Sequence, residues 1–126
     1  MNVLLSGGAG YIGSHAALSL LDSGHSVHII DDLSTGNESL IPKNAFFTKC
    51  NINDEEVISE LIKSNSFDLL MHFAGFIQVE ESVKYPQKYF DNNTENATKL
   101  FETCKNNGLN KIVFSSTAAA YGSVSE

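Results

Sequence analysis

Three glycines near the start of the chain have the spacing of a loop that cradles phosphates. Gly7, Gly10 and Gly13 stand three residues apart, and Gly8 adds an overlapping Gly-x-Gly-x-x-Gly pattern. An early glycine allows a tight turn after a strand, Gly10 lets a pyrophosphate approach the backbone, and Gly13 lets the following helix pack closely. The N-terminus of that helix would offer N–H groups and a partial positive charge to the phosphates.

A carboxylate stands where a dinucleotide-binding loop needs one. Asp31 ends the second predicted strand, where it can accept hydrogen bonds from adenosine ribose hydroxyls and would repel a 2′-phosphate. No lysine or arginine precedes Lys43, so nothing nearby offsets that repulsion, and the pattern favours NAD over NADP. Asp32 is either a solvated neighbour, which we favour, or a second contact. The alternative interpretation of the whole motif is a merely tight strand-to-helix turn.

The elements that must position these residues alternate along the chain. Short apolar runs predict strands at 3–5, 27–30, 45–48, 69–73 and 112–115. Helical patterns lie between them: an apolar stripe over 11–23 that begins with Ile12, a helix capped by Asn53 with Glu56 in capping-box position, and a long helix from Pro86 to Gly108. This alternation predicts an α/β fold, a doubly wound parallel sheet of the Rossmann type with strand order 3-2-1-4-5.

Composition narrows the function classes. The 126 residues suffice for one domain, and their net charge of −7, with eight lysines and no arginine, argues against a nucleic-acid-binding surface. No apolar run is long enough to span a bilayer, and no signal segment opens the chain, so a cytoplasmic location is expected. Cys50 and Cys104 are expected to be free thiols. The four histidines share no ligand spacing, so no metal site is expected.

Six stretches, in order over the whole chain, match a known enzyme family. They are 6–15 (Ser-Gly-Gly-Ala-Gly-Tyr-Ile-Gly-Ser-His), 31–37 (Asp-Asp-Leu-Ser-Thr-Gly-Asn), 72–75 (His-Phe-Ala-Gly), 79–83 (Val-Glu-Glu-Ser-Val), 89–93 (Tyr-Phe-Asp-Asn-Asn) and 114–122 (Phe-Ser-Ser-Thr-Ala-Ala-Ala-Tyr-Gly). On these motifs the chain resembles the extended short-chain dehydrogenase/reductase family, and within it most closely the nucleotide-sugar 4-epimerases. The resemblance implies NAD as cofactor and a nucleotide sugar, a UDP-hexose, as the substrate of the full-length enzyme.

The resemblance also implies roles for individual positions. It places Tyr11 and Ile12 against the pyrophosphate beside Gly7, Gly10 and Gly13, and it surrounds the adenosine ribose with Asp31, Asp32, Leu33, Ser34, Thr35 and Gly36. It places Asn51 and Ile52 at the adenine, lines the cofactor with Phe73, Ala74, Gly75 and Ser115, and uses Asn92 to steady the adjacent loop. It implies a catalytic role for Thr117, whose hydroxyl would bond the reacting oxygen of the sugar.

Three features of the sequence separate this chain from other members of the family. The family usually has Asp where Asn51 stands, which weakens the expected adenine contact, and many members have Lys where Ile77 stands. Sugar dehydratases have an Asp-Glu pair after the position of Thr117, where this chain has Ala118 and Ala119. Alanine transfers no protons, which favours an epimerase over a dehydratase.

The acid–base pair of the family is missing from these residues. A Tyr-x-x-x-Lys pair moves the proton of the sugar 4-hydroxyl in the family, but the four tyrosines here precede His15, Tyr89, Asn93 and Ser125 at that spacing. We therefore expect residues 1–126 to form an incomplete NAD-binding Rossmann domain, truncated after about five strands at Glu126 without a closing helix. The C-terminal substrate-binding part would be absent, and the chain would be inactive alone.

Two other functions stay open at this point. One is a non-catalytic NAD-binding module, and the other is a fragment of a nucleotide-sugar dehydratase or reductase. Under any of the three, the strand at 112–115 would be an exposed apolar edge of the sheet. Such an edge favours self-association.

Overall fold

One sheet of five parallel strands forms the centre of the computed structural model, which describes residues 1–122 and, at 118 and 119, the backbone alone. The expectation about the end of the chain therefore falls outside the described residues. The strands are β1 (Asn2–Ser6), β2 (Ser26–Asp31), β3 (Phe46–Lys49), β4 (Leu69–His72) and β5 (Ile112–Phe114). Their order is β3-β2-β1-β4-β5, and every neighbouring pair is parallel. The predicted fold class and strand order are confirmed.

Helices connect successive strands. They are α1 (Tyr11–Asp22), α2 (Glu55–Ser64), α3 (Val79–Lys84), α4 (Pro86–Phe90) and α5 (Ala97–Asn106), with 3-10 turns at Glu38–Leu40 and Ala118–Tyr121. A π-helical turn, Asp91–Asn96, joins α4 to α5, so the long helix predicted from Pro86 exists but contains this turn. Gly24 and Gly108, with φ of +79° and +85°, follow α1 and α5 as the predicted helix stops. In residues 1–122, no helix is both long and apolar enough to cross a membrane.

The predicted N-cap of α2 is wrong by one residue. Asp54, not Asn53, is the cap, and its carboxylate accepts a hydrogen bond of 3.3 Å from the backbone N–H of Val57. Asn53 instead belongs to a preceding turn, in which the side chain of Asn51 accepts a bond from its N–H. The helix begins one residue later because this turn uses Asn53, and Glu56 therefore no longer stands at the capping-box position.

Alternation along the strands divides the core into two layers. Leu4 and Leu70 are paired in register and pack against α2 and α5, whereas Leu5 and Ile29 pack on the other face of the sheet with Ala17 of α1. The expected apolar stripe of α1 holds for Ala17 and its partly buried neighbours. Its first member, Ile12, is 61% exposed, because α1 starts in the loop above the carboxyl end of β1.

Strand β5 is the least covered part of the sheet. Within residues 1–122 it pairs only with β4, and Ile112, Val113 and Phe114 are 39%, 50% and 56% exposed. Ile112 and Phe114 lie in register with Leu70 and His72, so they share the face covered by α5, and Val113 points to the opposite face. Both faces and the outer edge of this strand therefore expose apolar surface.

Candidate functional site

An open cavity lies at the carboxyl ends of the strands. It is lined by Gly7, Gly10, Asp31, Asp32, Ser34, Thr35, Gly36, Asn51, Ile52, Phe73, Ala74, Gly75, Phe76 and Asn92. The chain leaves β1 toward β2 on one side, while β4 lies on the other side of β1. This is the switch point at which ligands bind in doubly wound sheets.

The structure brings most of the predicted cofactor residues together in this cavity. Every one of the lining residues except Phe76 was expected from the sequence. Six expected residues lie outside the lining: Tyr11, Ile12, Gly13, Leu33, Ser115 and Thr117. Phe76 is the lining residue that sequence reasoning missed, and the one available signal was its position directly after Gly75.

The glycine loop is built from close backbone contacts. Gly7 has a φ of +77°, and a Cβ on it would lie 2.5 Å from the backbone nitrogen of Ala74 in the loop after β4. A Cβ on Gly13 would collide with the carbonyl oxygen of Gly7. Gly7 thus allows the loops after β1 and β4 to meet, and Gly13 lets the first turn of α1 pack onto the loop itself.

No side chain of the described residues caps the N–H groups in the first turn of α1. Gly10 is the N-cap and offers no side chain to the first-turn N–H groups, and the first turn holds no acidic residue. Tyr11 and Ile12, which follow, are 76% and 61% exposed. The positive end of this helix is therefore open to an anion above the loop.

Asp31 connects the glycine loop to the loop after β2. One carboxylate oxygen accepts a bond of 2.9 Å from the N–H of Ala9, and the other accepts one of 2.9 Å from the N–H of Leu33. Leu33 has a φ of +61°, a left-handed conformation that non-glycine residues rarely adopt and that is common at functional sites. Each carboxylate oxygen keeps a further lone pair, so Asp31 can still accept from a ligand hydroxyl.

Asp32 lines the same cavity, and its carboxylate, like that of Asp31, accepts two hydrogen bonds from the protein. Its carboxylate accepts from the N–H of Ser34 at 2.9 Å and from the side-chain amide of Asn51 at 2.8 Å. The described lining contains these two carboxylates and no lysine. This end of the cavity therefore favours hydroxyl and amino donors over a second phosphate.

Cys50 lies next to this acidic wall. Burial, and then the charges of Asp54, Asp32 and Asp31, raise the pKa of its thiol to about 11. Cys104 is also free and buried, and burial raises the pKa of its thiol to about 11. Both cysteines are free thiols, as expected, and both stay protonated at neutral pH.

A buried polar pair supports the cavity from below. The Ser6 hydroxyl and Nδ1 of His72 share a hydrogen bond of 2.7 Å at the ends of β1 and β4. His72 is 2% exposed, with the rings of Phe101 and Phe114 packed 5.2 and 5.7 Å from its own. Burial lowers the pKa of His72 to about 4, so the imidazole is neutral in the fold.

Ser115 and Thr117 follow β5 and lie outside the cavity lining. The N–H of Ser115 donates to the carbonyl of His72 at 3.0 Å, and the carbonyl of Thr117 accepts from the N–H of Ala120 at 3.1 Å. Both residues are exposed at the carboxyl end of the sheet. Their expected roles stay predictions. Across the described part of the chain, no three His, Cys, Asp or Glu side chains form a group that could hold a metal ion.

Comparison with known proteins gives one consistent result. The NAD dependent epimerase/dehydratase family matches residues 3–126. A UDP-glucose 4-epimerase of Lacticaseibacillus casei is 44% identical over 122 residues, which are 97% of this chain and 37% of that protein. The chain therefore spans little more than a third of the length of this relative.

Solved structures agree with the sequence relatives. A UDP-glucose 4-epimerase from Brucella ovis in complex with NAD superposes with a TM-score of 0.91 at 36% identity, covering 99% of this chain and 38% of that one. A UDP-glucose-4-epimerase from Stenotrophomonas maltophila with bound NAD and formylated UDP-arabinopyranose gives 0.92 at 36% identity, covering 100% of this chain and 40% of that one.

The buried His72 makes stability depend on pH. Its pKa falls from 6.5 to about 4 on folding, so its full contribution is present above pH 6.5. As pH drops from 6.5 through 4, the unfolded chain binds a proton that the folded chain excludes, which lowers the free energy of unfolding by ~3 kcal/mol. Urea unfolding measured at several pH values should show this loss of stability.

His72→Phe should remove most of this pH dependence. The part that remains would come from His28, because burial also lowers the pKa of that imidazole. His15→Phe, an exposed control, should keep the wild-type slope, and an unchanged slope in His72→Phe would contradict the assignment.

Proposed function

This chain belongs to the NAD-dependent epimerase/dehydratase family, and we propose that it is the NAD-binding portion of a UDP-glucose 4-epimerase-like enzyme. The observation that carries the proposal is the cavity itself. It brings the glycine loop, the ribose-type carboxylate of Asp31 and the loop after β4 together at the switch point of the sheet.

The residues present fit NAD. The open N-terminus of α1 and the backbone at Gly7 and Gly10 would hold the pyrophosphate, because no side chain blocks the approach. Asp31 would accept from the adenosine ribose, and Asn51 with Ile52 would lie at the adenine. NAD, when bound, supplies the acceptor and donor of the hydride that a sugar carbon loses and regains. The remaining lone pairs of the Asp31 carboxylate, and a described lining that contains no lysine, support NAD rather than NADP.

The substrate of the complete enzyme is proposed from the relatives and from the sequence. A UDP-hexose fits the resemblance, with Thr117 hydrogen-bonding its reacting oxygen and Ala118 and Ala119 in place of a dehydratase acid pair. A cytoplasmic location is proposed on the same basis, and it is supported by the two free thiols at Cys50 and Cys104.

The cofactor proposal is tested by calorimetric titration of the purified chain with NAD and with NADP. NAD should bind more tightly than NADP, because Asp31 repels a 2′-phosphate. Asp31→Asn should weaken NAD binding roughly ten- to hundredfold and reduce the preference for NAD, since bonds to a charged acceptor contribute ~1.5–3 kcal/mol. Asp22→Asn, which removes an exposed carboxylate at the end of α1, should bind NAD as the unsubstituted chain does. Binding of NADP as tight as that of NAD would contradict the proposal.

Turnover is a separate expectation. Residues 1–126 contain no Tyr-x-x-x-Lys pair, so the chain alone should bind NAD without converting UDP-galactose into UDP-glucose. A coupled assay that detects UDP-glucose should give no signal above that of a heat-denatured sample. Epimerisation by the purified chain would show that another group supplies the base. The alternative function, a non-catalytic NAD-binding module, would be favoured if a natural protein of this length were found to bind NAD.

Self-association is proposed for the exposed strand. The outer edge of β5 exposes apolar side chains and backbone groups that can pair with another chain. Light scattering over increasing concentration should give a mass above that of the monomer. Val113→Lys should shift the protein toward monomer, whereas Leu18→Lys, at an equally exposed position on α1 (49% against 50%), should not. A monomer at every concentration would refute the proposal.

A further inference from the structure

The order of the strands indicates which part of the cavity meets the base of a dinucleotide. The glycine loop follows β1, and the carboxylate of Asp31 ends β2. Because β3 lies on the outer side of β2, a dinucleotide that extends from the loop past Asp31 next reaches the segment after β3. Asn51 and Ile52 belong to that segment and line the cavity. Their side chains are therefore placed to meet a purine base.

Two hydrogen bonds hold the side-chain amide of Asn51 in one orientation. Nδ2 donates to Oδ2 of Asp32 at 2.8 Å, and Oδ1 accepts from the N–H of Asn53 at 3.1 Å. A turned amide would place its oxygen against the Asp32 carboxylate and its NH2 group against the Asn53 N–H, so both contacts would become repulsive. The orientation of this amide is therefore determined by its neighbours.

Asn51 keeps a donor and an acceptor after these two bonds. A side-chain amide carries two N–H donors and an oxygen with two lone pairs, and the two bonds use one of each. Asn51 is half-buried and lines the cavity, so a ligand can reach what remains. An aspartate at this position would offer acceptors alone. Asn51 can therefore bond a ligand group that donates and also one that accepts.

This difference matters at position six of a purine. Adenine carries an amino group there, which donates, whereas an oxopurine carries an oxygen, which accepts. A carboxylate would bond the amino group but would face the oxygen as one acceptor faces another, leaving both unpaired. The oxygen of Asn51 can accept from the amino group, and its remaining N–H can donate to the oxo group.

We propose that Asn51 makes the base site permissive, so that the cavity binds a dinucleotide whose purine has either an amino or an oxo group at position six. The inference rests on the proposed function, because it concerns the base of the bound cofactor. It goes beyond that function, because the aspartate usual in the family would accept only from the amino group. Asp32 does not replace that aspartate: it belongs to the loop after β2, and each of its oxygens already accepts a bond, from Ser34 and from Asn51.

The test compares NAD with nicotinamide hypoxanthine dinucleotide, which has an oxo group in place of the amino group of adenine. Calorimetric titration of the unsubstituted chain should give two dissociation constants within about threefold of each other. Asn51→Asp should bind the hypoxanthine dinucleotide about tenfold more weakly than NAD, because the donor to the oxo group is lost. A preference for NAD in the unsubstituted chain as large as that of Asn51→Asp would overturn the inference.

Asn110→Asp is the matched control. It makes the same chemical change and adds the same charge, but Asn110 is exposed and precedes β5, at the opposite end of the sheet from the cavity. This variant should keep the ratio of dissociation constants of the unsubstituted chain. Equal discrimination in Asn110→Asp and Asn51→Asp would assign the effect to added charge rather than to residue 51, and would overturn the inference.

An exchange variant removes the side effect of Asn51→Asp, in which two carboxylates face each other and repel. Combining Asp32→Asn with Asn51→Asp keeps one amide and one carboxylate in the pair, so the bond between them can form in the reverse direction. The exchange should discriminate against the hypoxanthine dinucleotide as Asn51→Asp does. It carries the comparison if the single variant does not fold, which circular dichroism would show.

The outcomes separate this inference from the proposed function. If the unsubstituted chain binds neither dinucleotide, the proposed function falls and the inference falls with it. If the unsubstituted chain binds NAD but not the hypoxanthine dinucleotide, only the inference is overturned. The same holds if Asn51→Asp and the exchange variant both leave the ratio of dissociation constants unchanged.

Discussion

The close approach of two backbone segments at the end of β1 is the constraint on which the rest of the site depends. Gly7 comes so near Ala74 that no Cβ fits between them, and Gly13 packs on the carbonyl of Gly7 in the same small volume. These contacts determine where α1 begins and how the loops after β1 and β4 enclose the cavity. The carboxylate of Asp31 then adds the loop after β2 by bonding Ala9 and Leu33. Backbone packing sets the shape of the cavity, and one side chain completes its wall.

The electrostatic potential at the cavity also has one source in side chains and another in the backbone. The described lining offers carboxylates at one end, while the helix end at Gly10 and Tyr11 supplies positive potential without any cation. Although the chain has no arginine, its cavity therefore offers positive potential at one point and negative potential at another. The neutral pair of Ser6 and His72 beneath the loops adds no charge to this arrangement.

Local sequence signals predicted the strands, the limits of the helices and the position of the cavity, because these features depend mainly on residues close in sequence. Apolar runs gave the strands, Pro86 and Gly108 marked the limits of a long helix, and the glycine spacing with Asp31 located the cavity. The cap of α2 was missed because Asn51 forms a turn that uses Asn53, and neither residue reveals that choice alone. Phe76 was missed for a related reason: its N–H bonds the side chain of Asn93, 17 residues away, in a π turn that periodicity does not show.

The π turn restricts how the length of this helix could change. It amounts to one residue more than a regular α-helix needs over the same path, and each residue of an α-helix advances it by about 100°. Deleting one residue between Asp91 and Asn96 would restore regular winding, but it would rotate one flank against the other. Either Asn92 would leave the cavity lining, or Leu100 and Cys104 would leave the core. A one-residue deletion here would therefore be more harmful than most single substitutions in the same helix.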